Sequence, residues 1–263
     1  MISIFVILFI LGTIIGSFLN VLVVRGRNGE SLMGRSHCMH CHQEIPIIFL
    51  IPILGYLISG RKCFSCKKNI SIRYMIGELI LGLLFMATGY FILGMMPFGL
   101  SAIIVMLSIV FITLIFYMSY YDILYQEIEM IVIIALFLII TGLHIFQPGS
   151  ISNISNLLLG LSISVPFLLV WIISRGKFIG FGDILIMLLM GYHLGFYAGL
   201  SAIIISFWIG AVFVMVWIVY QKLVNHKTYA DIRKIPIPFG PFLSTGWIIT
   251  WWTGFTIFKI FLL

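Results

Sequence analysis

The sequence predicts an all-α, polytopic membrane protein of about eight transmembrane helices, with a small cysteine-containing cytoplasmic domain between the first two. Hydrophobic residues make up 62% of the 263 residues, and charged residues only 9%. Soluble domains carry about 25% charged residues. Apolar stretches of about 20 residues, the length that a helix needs to cross a bilayer, recur along the whole chain. This composition excludes a soluble enzyme.

The apolar stretches set the predicted organisation. The first one has no basic residues ahead of it and no small-residue cleavage site, which predicts a retained span and not a signal peptide. We divide the chain into a first transmembrane helix (1–24), a cytoplasmic domain (25–74) and a larger transmembrane domain (75–263). The eight predicted spans are 2–24, 75–96, 99–121, 128–146, 152–174, 184–198, 199–221 and 242–260.

The net charge of +7 reflects membrane topology and does not point to a nucleic-acid partner. In an eight-span arrangement, 14 of the 15 Lys and Arg residues fall in loops on one face, and only Lys259 lies near the other. Cytoplasmic loops of membrane proteins are enriched in Lys and Arg. The predicted topology therefore places these loops in the cytoplasm and both termini outside.

The cytoplasmic domain contains two C-x-x-C pairs, separated by 21 residues. A domain of under about 50 residues is too small to be held by an apolar core alone. Paired C-x-x-C motifs at this interval are typical of a tetrahedral structural zinc site, and the reducing cytoplasm disfavours disulfides. The predicted metal ligands are Cys38, Cys41, Cys63 and Cys66.

Three other interpretations of this segment stay open. The cysteines could form a redox dithiol or stay without metal. One of the histidines that surround the first pair could replace a cysteine ligand. These histidines are His37, His40 and His42.

Two aspartates stand at the edges of apolar stretches, Asp122 at the end of the third predicted span and Asp183 at the start of the sixth. A carboxylate beside lipid is costly and tends to mark a functional site. Both would lie at the cytoplasmic face. Two close carboxylates cannot both ionise easily, so one can activate water while the protonated one polarises a scissile carbonyl. The pair predicts aspartic peptidase chemistry that requires no metal and no covalent intermediate.

The residues around these acids leave alternatives. Each aspartate, taken alone, is also typical of a boundary residue or helix cap that faces water. Gly180 and Gly182 would allow a tight turn and a close backbone approach before Asp183. Glu127 and Glu129 follow Asp122 closely and are more typical of the water boundary than of a catalytic pair. Glu78, just inside the second span, could pair with an arginine or serve as a functional acid.

The order of these motifs resembles that of type IV prepilin peptidases, and the resemblance runs across most of the chain. The segments that carry it are Gly16–Val21 in the first span, the two cysteine pairs, Ile72-Arg73-Tyr74 with Glu78, Gly180-Phe181-Gly182-Asp183 and Ile237–Phe242 before the last span.

The resemblance implies a bifunctional enzyme of the bacterial inner membrane. It would cleave the short basic leader of prepilins or pseudopilins, which serve pili, type II secretion or competence, and methylate the new amino terminus with S-adenosylmethionine. The lipid bilayer is a partner and nucleic acid is not. The family's catalytic aspartates match Asp122 and Asp183, and its zinc ligands match the four cysteines.

Three positions depart from the family pattern. Met39 and Glu129 stand where prolines are usual, and Leu185 replaces a lysine two residues after the second aspartate. The loss of this lysine leaves the acids without a nearby cation and bears on substrate details and rate more than on reaction class.

Three rival functions remain at this point. Presenilin-like and archaeal preflagellin peptidases also pair Tyr-Asp with G-x-G-D, but the four-cysteine loop favours the prepilin branch. A transporter with an acid relay would require ionisable groups within spans, where only His144 and His193 qualify. A thiol oxidoreductase would require cysteines outside a reducing compartment.

Overall fold

The computed structural model describes residues 2–93, 101–146, 154–225 and 235–258, and their regular secondary structure is helical apart from two isolated β-bridges. The chain divides into two compact units, Met1–Thr113 and Leu114–Leu263. The boundary falls inside the long helix α4 (Ser101–Tyr125). The all-α fold class predicted from the sequence is confirmed for the described part of the chain.

The first unit contains α1 (Ile2–Asn28), a 3-10 turn (Ile47–Leu50), α2 (Leu54–Ile58), α3 (Arg73–Leu93) and the start of α4. The second unit contains the rest of α4 and six further described helices. These are α5 (Met130–Phe146), α6 (Ile154–Ser162), α7 (Val165–Ser174), α8 (Phe181–Leu194), α9 (Phe196–Leu223) and α10 (Gly240–Thr253).

Four of the described helices are long and apolar enough to cross a membrane: Ile2–Arg27, Arg73–Leu93, Ala102–Tyr125 and Phe196–Leu223. They correspond to the first, second, third and seventh predicted spans. The 27 residues of α1 extend about 40 Å, beyond the roughly 30 Å of the hydrocarbon layer. The protein is thus a multi-pass membrane protein, while the count of eight crossings stays a prediction.

The fifth predicted span is not one continuous helix. A turn at Ile163 and Ser164 separates α6 from α7, and Pro166 is the second residue of α7. Proline has no N–H, and its ring collides with the carbonyl four residues earlier, so the helix restarts there. The boundary between the sixth and seventh predicted spans lies at residue 195 and not at residues 198 and 199. Gly195, at φ +76°, alone separates α8 from α9.

In the first unit, α1 and α3 pack through small residues. A Cβ at Gly12 would lie 2.7 Å from the Leu81 carbonyl oxygen, and one at Gly82 would lie 2.7 Å from Thr13 Cγ2. Small residues let two helix backbones approach closely inside a membrane. Gly12 and Gly82 therefore serve the close packing of α1 against α3.

In the second unit, α8 is the central helix and packs against α5, α6, α7, α9 and α10. A Cβ at Gly160 of α6 would collide with the Gly191 carbonyl of α8, so these two backbones touch directly. The fully buried side chains around α8 form the apolar core of this unit. They include Leu136, Ile140, Ile186, Met190 and Trp247.

Candidate active site and metal centre

Asp122 lies in the last turn of α4, which runs three residues beyond it to Tyr125. The residue is only 6% exposed, as is unusual for an acid. Its Oδ2 accepts a hydrogen bond from the backbone N–H of Gly240 at 2.9 Å, 118 residues further along the chain. A buried carboxylate needs such a partner because desolvation without hydrogen bonds is costly.

Gly240 is the first residue of α10, and Pro241 follows at the second position, where proline favours the start of a helix. A Cβ at Gly240 would lie 2.6 Å from Asp122 Oδ2. Only glycine therefore lets this backbone N–H reach the carboxylate without displacing it. The sequence singled out the Pro-Phe-Gly-Pro stretch (238–241) by resemblance alone, and the structure gives its glycine a physical role.

Asp183 is the third residue of α8 and is half-buried. A Cβ at Gly180, the N-cap residue, would lie 3.3 Å from Asp183 Oδ2, so the carboxylate folds back over the start of the helix. A side chain at the third helical position that reaches back to the N-cap has the placement found in a capping box. The position of Asp183 in the first turn therefore sets the direction of its carboxylate.

The two glycines of the Gly-Phe-Gly-Asp motif have different roles from those predicted. Gly180 adopts φ −69° and ψ 143°, so the turn does not require a glycine conformation. Gly182 provides a close approach, but to the protein itself: a Cβ there would lie 2.6 Å from Ile128 Cδ1. The start of α8 is thereby packed against the turn that follows α4.

The two carboxylates are close enough for the charge of Asp122 to act on Asp183. Each also has a glycine at the start of a helix beside it: the Gly240 N–H donates to Asp122, and Gly180 adjoins the Asp183 carboxylate. The N-terminus of a helix favours negative charge. The second unit thus brings together two acids that are 61 residues apart in the sequence.

Other groups near this site are engaged in structural contacts. Glu129 accepts a hydrogen bond from the Tyr117 hydroxyl at 2.8 Å, so it is not a free boundary charge. A hydrogen bond of 2.7 Å joins the hydroxyls of Ser119 and Ser244, one helical turn from Asp122 and Gly240 respectively. Sequence reasoning missed this second link between α4 and α10, because isolated serines in apolar helices carry no pattern.

The two histidines considered for a proton relay lie together elsewhere in the second unit. The Trp247 indole N–H donates to His193 Nδ1 at 2.9 Å, and the His144 and His193 rings are 5.9 Å apart. His193 is ten residues along α8 from Asp183, or about 15 Å. Their contacts fix α10 and α5 against α8.

In the first unit the four cysteine sulfurs converge. All four lie within 4.8 Å of one another, with Cys38 to Cys66 at 3.8 Å and Cys41 to Cys63 at 4.0 Å. A tetrahedral site with zinc–sulfur bonds of about 2.3 Å has sulfur–sulfur edges of about 3.8 Å. The spacing is far longer than a disulfide bond of about 2.05 Å. These residues could hold a metal ion, and the sulfur arrangement fits zinc.

The two cysteine turns repeat one another at an offset of 25 residues. Cys38 N–H donates to the Gln43 carbonyl, and Cys63 N–H to the Lys68 carbonyl. The residue after each second cysteine has positive φ, 56° at His42 and 57° at Lys67. The shared C-x-x-C spacing is the sequence signal of this repeat.

The local backbone favours the thiolate at Cys63. The N–H groups of Cys66 and Ser65 lower the pKa of the Cys63 thiol to about 6, whereas burial and the neighbouring cysteines outweigh the Lys68 N–H and raise the pKa of Cys66 to about 11. The thiolate is the form that binds metal. Among the described residues, the converging group of metal-ligating side chains contains the four cysteines and no histidine. His37 Nδ1 instead lies 3.1 Å from Arg25 Nη2.

Glu78 is 8% exposed and accepts the Ile53 backbone N–H at 2.7 Å. Its backbone lies against α1, since a Cβ at Gly16 would be 3.0 Å from Glu78 Cα. The Ile53 hydrogen bond of the carboxylate is with a backbone N–H and not with an arginine, and a role as a functional acid stays a prediction. The carboxylate connects α3 to the loop before α2.

Comparisons with known proteins agree with both parts of this description. A family model described as "Bacterial Peptidase A24 N-terminal domain" matches residues 10–92, which include the four cysteines. A second, described as "Type IV leader peptidase family", matches residues 109–215, which include both aspartates. No solved structure gives a significant match.

Curated relatives match over nearly the full chain. A prepilin leader peptidase/N-methyltransferase of Bacillus subtilis is 28% identical over 97% of this chain and 97% of its own length. Proteins of the same name from Stutzerimonas stutzeri and Pseudomonas aeruginosa are each 27% identical over 92% of this chain, covering 89% and 88% of their own lengths. With two family models matching in sequence order and relatives matching end to end, the chain belongs to the type IV leader peptidase family.

Proposed function

We propose that this protein is a membrane-embedded aspartic endopeptidase that removes the leader from type IV prepilins or pseudopilins, with Asp122 and Asp183 as its catalytic residues. One observation carries the assignment: two acids from different helices lie close enough to interact electrostatically, the Gly240 N–H holds the Asp122 carboxylate, and Gly180 adjoins the Asp183 carboxylate. Pre-organised carboxylates of this kind suit acid–base catalysis, which relies on fixed geometry.

In the proposed reaction, one carboxylate removes a proton from a water molecule, and the water oxygen attacks the scissile carbonyl carbon. The other, protonated carboxyl group donates its proton to the carbonyl oxygen. Collapse of the tetrahedral intermediate breaks the C–N bond, the leaving nitrogen takes a proton from the first carboxyl group, and the second carboxylate recovers its proton from a hydroxyl of the intermediate. No covalent intermediate with the protein forms.

The distribution of charge supports cleavage at the cytoplasmic face. Basic residues predict that the loops beside Asp122 and Asp183 lie in the cytoplasm. A prepilin leader is still on that side, while the apolar helix of the precursor occupies the bilayer. The membrane helices of this protein would then contact the substrate laterally and present its cleavage site to the two acids.

The four cysteines are proposed to hold a structural zinc ion. A bound metal would fix the two cysteine turns, which otherwise have little apolar core. Four thiolates leave no open coordination position, so the ion has a structural and not a catalytic role.

The second proposed activity is transfer of a methyl group from S-adenosylmethionine, as co-substrate, to the amino group that cleavage exposes. This proposal comes from the relatives, whose names join leader peptidase and N-methyltransferase. We assign no residue of this chain to the methyl transfer.

The test is co-expression with pilin-like precursors and mass analysis of their new N-termini. The wild-type protein is expected to give a shortened product that carries one additional methyl group. Asp122→Asn and Asp183→Asn should each lower cleavage at least about 10³-fold, because each removes a proton-transfer group. Glu127→Gln, which neutralises an exposed acid five residues from Asp122, is the matched control. Full cleavage by either Asp variant would contradict the assignment of the two aspartates.

A further inference from the structure

We propose that Ile47–Ile58 of the first unit is a membrane-interface element that inserts into the headgroup layer of a bilayer rich in anionic lipid. We call it the interfacial segment. It comprises the 3-10 turn, a short connection and α2. The sequence analysis places these residues inside the cytoplasmic domain. The cysteine turns do not need such an apolar segment, so we assign it a separate function.

The interfacial segment exposes one apolar face. In α2, Leu54, Leu57 and Ile58 are exposed while Gly55 and Tyr56 are buried. Positions i, i+3 and i+4 lie on the same side of a helix. Six large aliphatic side chains of the segment are at least 44% exposed: Ile47, Ile48, Ile51, Leu54, Leu57 and Ile58. Exposed contiguous apolar surface marks an interaction site.

The attachment of this face to the membrane helices places it at the depth of the membrane boundary. The Ile53 N–H donates to Glu78 Oε2 at 2.7 Å. Glu78 is the sixth residue of α3, so it lies about 7–8 Å along this helix from Arg73. Glu78 also packs against α1, where a Cβ at Gly16 would lie 3.0 Å from Glu78 Cα, and both helices are long enough to span a bilayer. The segment is therefore attached to α3 on the bilayer side of Arg73, at a point where α3 packs against α1.

The attachment is maintained against an unfavourable backbone conformation. Ile53 has φ +63° and ψ −56°, which is a rare conformation for a β-branched residue. Such a conformation persists only where surrounding contacts over-determine it, and it tends to occur at functional places. The bond to Glu78 is one of these contacts, and it orients the turn between Ile51 and Leu54.

The charge of the neighbouring loop favours anionic lipid over the prepilin leader as the partner of this apolar face. The ring of Phe64, which is 63% exposed, lies beside that of Phe49, with 5.9 Å between the ring centroids. The Lys67 ammonium lies over the Phe64 ring, 5.4 Å from its centroid, so the basic loop adjoins the segment. Basic residues beside an apolar interfacial face attract anionic headgroups. The basic leader of a prepilin would be repelled. The basic residues are Arg61, Lys62, Lys67, Lys68 and Arg73.

The test uses the full chain in nanodiscs of equal parts phosphatidylglycerol and phosphatidylcholine. The photo-crosslinking amino acid p-benzoylphenylalanine replaces Leu57 and, in separate proteins, Leu83 of α3 and Met33. Mass spectrometry then identifies what is attached. Phospholipid adducts at position 57 are expected to match those at position 83 and to exceed those at position 33 at least about fivefold.

A second arm tests charge. The double variant Lys67→Gln, Lys68→Gln should lower the ratio of phosphatidylglycerol to phosphatidylcholine adducts at position 57 toward one, whereas Lys177→Gln should leave it unchanged. Zinc content reports that the cysteine turns stay folded. Crosslinks from position 57 to peptides of this protein, or lipid adducts no more frequent than at position 33, would overturn the proposal. If the double variant leaves the ratio of phosphatidylglycerol to phosphatidylcholine adducts unaltered, the proposed preference for anionic lipid is wrong.

Discussion

The cysteine cluster of the first unit and the aspartate pair of the second are assembled in opposite ways. Each cysteine turn is closed by hydrogen bonds within six residues, and the two turns differ by a shift of 25 positions. The aspartate pair depends on contacts between distant parts of the chain, with Gly240 placed 118 residues from Asp122. One site is formed by local backbone, the other by helix packing.

The difference explains where each site is vulnerable. A local metal site loses its structure when a ligand is removed, because the loop has few other contacts to hold it. A site assembled by packing keeps its fold when one of its acids is neutralised, but loses function when a helix shifts slightly. The comparison leads to four predictions that differ in size and in the unit that they affect.

The largest effect is expected from removing two cysteines. In Cys63→Ser with Cys66→Ser, zinc should fall from about one per chain to none, since the remaining two thiolates cannot complete a tetrahedral site. Structural zinc contributes roughly 10–16 kcal/mol to the folding of small domains. Hydrogen exchange should show residues 37–70 unprotected while α8 and α10 keep their protection.

Ser65→Ala is the matched control, because Ser65 lies between the two cysteines and acts on Cys63 through its backbone N–H. It should retain zinc. Wild-type protein without metal and with Cys–Cys crosslinks would contradict the metal assignment. Loss of protection in α8 and α10 as well would show that the two units are not independent.

The next largest effect is expected from Gly240→Ala. The added Cβ would lie 2.6 Å from Asp122 Oδ2, so either the carboxylate or the start of α10 must move. Misplacement of a catalytic group by about 1 Å can cost about 10²-fold in rate. Leader cleavage should fall by about that factor, with zinc content and expression unchanged.

Gly26→Ala is a suitable control because a Cβ there has open space around it. It should cleave at the wild-type rate. Unchanged cleavage by Gly240→Ala would show that the long-range contact with Asp122 has no part in catalysis, and the contrast between the two sites would then be lost.

The sequence predicted the all-α fold class and the four-cysteine cluster, since these depend on hydrophobic length and motif spacing. It singled out both aspartates as candidates because they stand at the edges of apolar stretches, and their catalytic role stays a prediction. It could not predict which backbone group satisfies Asp122, because a glycine N–H 118 residues away leaves no local pattern. It also took the motif glycines for turn residues, whereas Gly182 serves packing against Ile128. The apolar Ile47–Ile58 segment was overlooked because its helix of five residues is too short to register as a span.

A smaller effect is expected from Gly182→Ala. The new Cβ would meet Ile128 at 2.6–3.1 Å, but these atoms belong to a side chain that can partly rotate away. Cleavage should fall about tenfold as the start of α8 shifts. Adding Ile128→Ala should restore most of the rate, as removing the obstructing atoms leaves Asp183 in place. Absence of rescue would show that Gly182 acts by some route other than this contact.

The smallest effect is expected at the Ser119–Ser244 hydrogen bond, which ties α4 to α10 one turn away from the Asp122–Gly240 contact. Hydrogen bonds between membrane helices contribute about 0.6 kcal/mol on average. Ser119→Ala and Ser244→Ala should each lower thermal stability slightly and cleavage less than about threefold.

Because Ser119 also bonds the Ile115 carbonyl within α4, single variants do not isolate the link between helices, and a double-mutant cycle does. A coupling energy near zero would assign the alignment of the two helices to the Gly240 contact and apolar packing alone. A coupling of about 0.6 kcal/mol would make the serine pair a second long-range determinant of where Asp122 stands.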